Sequence, residues 1–132
     1  MAWCFEDEAD AYSDAVLNVL RDGRALVPAL WSYEVASVLV VSERRRRLRR
    51  ADSASFLEML AALPLEIQGA DGIPLIGMLM DLGREFRLSA YDLTYLALAM
   101  RERVPLATRD MRLRDTARAA GVAYLLPKSG RR

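Results

Sequence analysis

The sequence predicts an α/β sandwich on a mainly parallel sheet. Two observations carry that expectation. Short apolar runs of four or five residues alternate with longer stretches of helical periodicity, the order that buries a parallel sheet between helices. Glycine, proline and cap-forming residues mark the junctions between them. At 132 residues the chain is read as one domain, 1–132, because a chain of this length has no room for two.

The elements follow in order. Residues 9–21 read as a helix with Ala15, Val16, Val19 and Leu20 on one side, ended by Asp22-Gly23. Residues 24–28 are short and branched enough for a buried strand. A second helix follows Pro28 and runs into a cluster of arginines. A third begins near Ala51, with Asp52 or Ser53 as its cap, and ends near Pro64. Residues 65–68 form a second strand. Asp71-Gly72-Ile73-Pro74 opens a fourth helix, with Pro74 suited to its first turn. Ser89 caps a fifth, reaching about Arg103. Residues 104–108 and 122–126 read as strands around a helix over 111–120, which Gly121 stops. The tail beyond Pro127 is expected to fray.

Composition removes several chemistries. There is no histidine, which excludes Ser-His-Asp and Cys-His catalysis and the zinc protease motif. The single cysteine, Cys4, excludes an internal disulfide and a cysteine-rich zinc site. No glycine pattern matches a phosphate-cradling loop. The start turns acidic at once, unlike a signal peptide, and no apolar run suits a bilayer span. These features point to a cytoplasmic protein without membrane contact.

Three acids fall inside apolar runs. Glu34 interrupts residues 31–41, Asp92 interrupts 88–100, and Asp110 closes 104–110. A carboxylate on a core face costs several kcal/mol, roughly 3–5 when its partner is removed, so a shared cause is sought. Carboxylates gathered from distant segments suit a hard divalent cation, Mg²⁺ or Mn²⁺. Each acid also has a duller reading. Glu34 sits early enough in its helix to answer the macrodipole, although it shares a stripe with Leu30, Trp31, Val38 and Val41. Ser89-x-x-Asp92 is a capping-box pattern. Asp110 can cap the helix that follows, and Thr108, two residues back, can turn a supporting hydroxyl to the same side.

The run of arginines at 44–47 and 49–50 continues the Glu34 helix. Cations are favoured at a helix C-terminus. Arg44, Arg45, Arg46 and Arg47 are equally candidates for contact with RNA phosphate or an acidic partner.

The order Pro28-Ala29-Leu30-Trp31-Ser32-Tyr33-Glu34, then Tyr91-Asp92-Leu93-Thr94-Tyr95-Leu96-Ala97-Leu98-Ala99, then Ala107-Thr108-Arg109-Asp110, resembles the PIN domain. More closely, it is similar to the toxin ribonucleases of VapBC toxin–antitoxin pairs. The resemblance covers nearly the whole chain. It implies a three-layer α/β/α sandwich and Mg²⁺- or Mn²⁺-dependent cleavage of RNA. It also implies a homodimer held inactive by a VapB-like antitoxin whose tail enters the acidic site. It carries over Glu34, Asp92 and Asp110 as metal-site acids, with Thr108 as a supporting hydroxyl; Ser89, the cap beside Asp92, is a further supporting candidate.

One departure stands out. The family opens with a central strand ending in an aspartate, several residues before an Ala-Trp like Ala2-Trp3. The chain is therefore expected to lack that strand and its acid, and Asp7, Glu8 and Asp10 do not replace it. The expectation divides in two: an impaired ribonuclease, or a non-catalytic module that still binds antitoxin or a second protomer. Phosphodiester chemistry on DNA is a third, weaker expectation.

Overall fold

The computed structural model describes residues 23–69 and 72–125. The expected helix over 9–21, the segment preceding it with Cys4, and the tail from Leu126 onward lie outside the described residues. The rest forms a helix-rich α/β arrangement, as expected.

Strand β1 (Ala25–Pro28) pairs in parallel with β2 (Leu65–Gln68), from Ala25 opposite Leu65 to Pro28 opposite Gln68. Parallel pairing requires a crossover. Here it is two helices, α1 (Leu30–Arg44) and α2 (Arg50–Ala62). Helix α3 (Gly72–Glu85) follows β2 and packs against α4 (Ala90–Glu102), which also touches β1 and α5 (Met111–Ala119). None of the described helices is long and apolar enough to cross a membrane.

The two last strands expected from sequence reduce to one parallel bridge, Leu106 with Tyr124. Leu106 N–H donates to the Ala123 carbonyl at 2.8 Å, and Leu125 N–H donates to the Leu106 carbonyl at 2.9 Å. Pro105 has no N–H to extend the ladder. At the other end, Asp110 N–H donates to Thr108 Oγ1 at 3.1 Å and turns the chain away.

Two apolar clusters organise these elements. The larger joins Leu82, Leu93, Leu96, Ala97, Ala99, Leu106, Leu113 and Ala117 from α3, α4, α5 and the bridge. The smaller joins Val35, Leu39, Phe56 and Leu60 from α1 and α2, with Trp31 and Leu65 against it. An apolar depression of about 430 Å³ opens beside the smaller cluster, between Val35, Leu39, Leu57, Leu60 and Ile67.

Two expectations are corrected. Helix α1 buries Val35, Leu39 and Ser42, one position off the stripe that contains Glu34. That carboxylate is exposed, Asp110 is exposed and Asp92 is half-buried, so none of the three is a core charge. Helix α2 is capped by Arg49, with Asp52 at the third helical position. Asp52 Oδ2 accepts the Arg49 N–H at 2.9 Å while the guanidinium donates to the same carboxylate. These hydrogen bonds hold the Asp52 carboxyl below its ordinary value.

Three helices close through left-handed residues: Arg46 after α1 (φ 57°), Arg103 after α4 (φ 54°) and Gly121 after α5 (φ 77°). Glycine enters this region freely, whereas a side chain there costs roughly 1–2 kcal/mol.

Candidate active site

Glu34 lies in the second turn of α1, the helix that β1 feeds through Pro28 and Ala29. Its Oε1 accepts a hydrogen bond from the Tyr95 hydroxyl. Tyr95 stands on α4 one turn after Asp92, half-buried against the larger cluster. A phenol placed there needs a partner for its O–H, and Glu34 supplies it. Burial, the bond to Glu34, the charge of Glu34 and the charge of Asp92 together push the Tyr95 phenol above its ordinary pKa. Two of the predicted acids therefore act on one side chain.

Asp92 shows that half a capping box has formed. Ser89 Oγ accepts the Asp92 N–H at 3.2 Å, which fixes the start of α4. The reciprocal bond from the Asp92 side chain to the Ser89 backbone is not made. The Asp92 carboxylate makes no hydrogen bond among the described residues. The capping role falls to Ser89, and the acid stays available.

Asp110 does the opposite. Its Oδ1 accepts N–H groups from Arg112 at 2.9 Å and Leu113 at 3.2 Å, capping α5. The hydroxyl of Thr108 accepts the Asp110 backbone N–H. The Thr108 carbonyl accepts the Tyr124 hydroxyl at 2.6 Å, tying this corner to the last described segment. Arg112 then donates through its guanidinium to the Arg87 carbonyl at 3.0 Å. That bond links the start of α5 to the turn that leads into Ser89 and α4.

The structure thus brings Glu34 and Asp92 together around Tyr95 and anchors Asp110 at the neighbouring helix start. It does not bring all three into one cluster. Among the described residues no group of three His, Cys, Asp or Glu side chains is gathered closely enough to hold a metal ion. The donor chemistry, carboxylate oxygens without histidine or thiolate, fits a hard divalent cation. Arg44 closes α1, and Arg45, Arg46 and Arg47 lie in the turn that follows rather than continuing the helix, all four exposed.

Sequence reasoning missed two residues of this site, Tyr95 and Arg112. Tyr95 reads as an ordinary core aromatic. Its partner Glu34 lies 61 positions away, so no local spacing announces the bond. Arg112 carries no local signal, because its partner lies 25 positions away.

The comparisons with known proteins agree with the resemblance. The PIN domain profile matches residues 1–119. The VapC ribonuclease Mb0985 of Mycobacterium bovis is 32% identical over 126 residues, covering 88% of this chain and 95% of the relative. Ribonuclease VapC9 of Mycobacterium tuberculosis matches with the same identity and coverage. No solved structure gives a significant match. The profile spans most of the chain, and the described helices and parallel strands are of the kind it requires: this chain belongs to the PIN-domain family.

Proposed function

We propose that the protein is a divalent-metal-dependent endoribonuclease, the toxin of a type II toxin–antitoxin pair, acting as a single domain over residues 1–132. The observation that carries this reading is the convergence of Glu34 and Asp92 on Tyr95, in a chain similar to VapC ribonucleases. Its partners would be an RNA substrate, a VapB-like antitoxin and a second copy of the chain, in the cytoplasm.

Glu34, Asp92 and Asp110 would supply oxygen donors to Mg²⁺ or Mn²⁺. Such an ion activates water and offsets charge developing on a phosphodiester. The chain's own part is positioning. Tyr95 holds the Glu34 carboxylate in one orientation. Ser89 fixes the α4 start, so that Asp92 presents a carboxylate that no backbone group among the described residues occupies. Thr108 sets the Asp110 backbone, and Arg112 ties that corner to α4.

A second reading has its own observation. With no three-ligand group among the described residues, the chain could be a non-catalytic module that binds antitoxin or another protomer. Cleavage of a structured RNA in Mn²⁺, with Asp92→Asn as control, separates the two. Cleavage by the parent that is lost in the control supports the ribonuclease. No cleavage by either, with antitoxin binding retained, supports the binding module.

A further inference from the structure

Residues 44–50 contain six arginines and one leucine. The structure settles the fate of several of these charges. Arg49 is taken up by Asp52, at 3.2 Å. Arg44, Arg45, Arg46 and Arg50 are exposed and make no ion pair among the described residues. Four like charges grouped at one turn of the chain repel each other and favour a ligand with repeated negative charge.

The helix dipole does not account for them. The closing carbonyls of α1 are already satisfied by backbone N–H groups: Arg45 to Val41 at 2.9 Å, Arg46 to Glu43 at 3.0 Å and Arg47 to Ser42 at 2.8 Å. Arg46 also occupies a left-handed position, φ 57°, where glycine would close the helix with less strain. The chain keeps a guanidinium where the backbone would prefer no side chain.

The placement relative to Glu34 selects the ligand. Arg45 follows Glu34 by eleven residues, three helical turns, and so returns to nearly the same face, roughly 16 Å along the axis. Between them that face carries Val38, half-buried, and Val41, exposed. It is an open track rather than a packed seam. At its Glu34 end, acids repel the phosphates of a polyanion. The attraction that holds such a substrate must then come from cations at a distance, and guanidinium forks match phosphate oxygens.

We propose that the arginine turn between α1 and α2, with Arg44, Arg45, Arg46 and Arg50, binds the backbone phosphates of single-stranded RNA running along α1 from Glu34. This deepens the ribonuclease reading and rests on it for the substrate.

The test is equilibrium binding of a fluorescein-labelled single-stranded RNA of about 12 nucleotides, by anisotropy, in EDTA and across a KCl series. Without divalent ions the result does not depend on cleavage, so failure here is distinct from failure of the nuclease assay. Removing one guanidinium from a phosphate should lower the slope of log K against log salt by about 0.7. Arg46→Gly should weaken binding and lower the slope by about that amount, while melting no earlier than the parent. The triple variant Arg44→Gln, Arg45→Gln, Arg50→Gln should lower it by about 2. Unchanged affinity and slope in both variants overturn the proposal, as does absence of RNA binding by the parent. A poly-glutamate peptide that binds the parent and not the variants, with RNA binding unchanged, overturns it in favour of an acidic protein partner.

Discussion

The Tyr95 hydroxyl donates to the Glu34 carboxylate across 61 positions of sequence, joining helix α4 to helix α1. One phenol thereby orients the first of the proposed metal-site acids while standing one turn from the second.

Tyr95→Phe tests that bond through pH as well as activity. Folding raises the phenol's pKa, with burial as the first cause and Glu34 next. Below the unfolded value of 10.0 both states keep the proton, and the stabilisation is fully present. As pH rises past that value only the unfolded chain ionises, so stability falls. The parent should therefore lose stability above about pH 10 more steeply than Tyr95→Phe. Urea unfolding at pH 8 and pH 10.5 reads the difference. Equal slopes would mean that neither burial nor Glu34 holds the phenol in its protonated form. RNA cleavage by the variant should drop with its fold intact.

Asp110 carries two roles that substitution can separate. Asparagine caps a helix about as well as aspartate, whereas alanine costs roughly 1 kcal/mol. Asp110→Asn should melt with the parent, and Asp110→Ala should melt a few degrees earlier. Both should lose cleavage by about a hundredfold or more if the carboxylate is an oxygen donor to the divalent ion at the reacting phosphate. Retained cleavage in Asp110→Asn would leave the residue as a cap alone.

Ser53 is a buried liability. Its Oγ is enclosed in α2 without a hydrogen-bond partner among the described residues, and an unsatisfied buried polar group costs about 1–3 kcal/mol. Ser53→Ala should raise the urea midpoint at unchanged slope. A lower midpoint would mean that the hydroxyl has a partner.

Much of this was legible in the chain. The periodic helices, the Ser89 cap and the Gly121 stop follow from local rules, because the atoms concerned lie within one or two turns. Three features were not. The strands at 104–108 and 122–126 looked full-length by composition, yet Pro105 and the Thr108–Asp110 turn leave only the Leu106–Tyr124 bridge. Glu34 looked internal because apolar residues flank it on both sides. Burial of α1 depends on which face α2 covers, and that face is set by Val35 and Leu39. The Tyr95 and Arg112 hydrogen bonds join segments distant in sequence, where spacing carries no information. The acids themselves were found by type and position. Their grouping around Tyr95 belongs to tertiary packing.

The two apolar clusters share no residue, and the Glu34–Tyr95 bond bridges from the helix of one to the helix of the other. Each cluster can act as a separate cooperative unit with its own opening free energy. A slight parting of the units would disperse the acids while every helix stayed formed. Catalytic competence would then report on the docking of two halves, and heat should abolish it before the far-ultraviolet signal of the helices begins to fall.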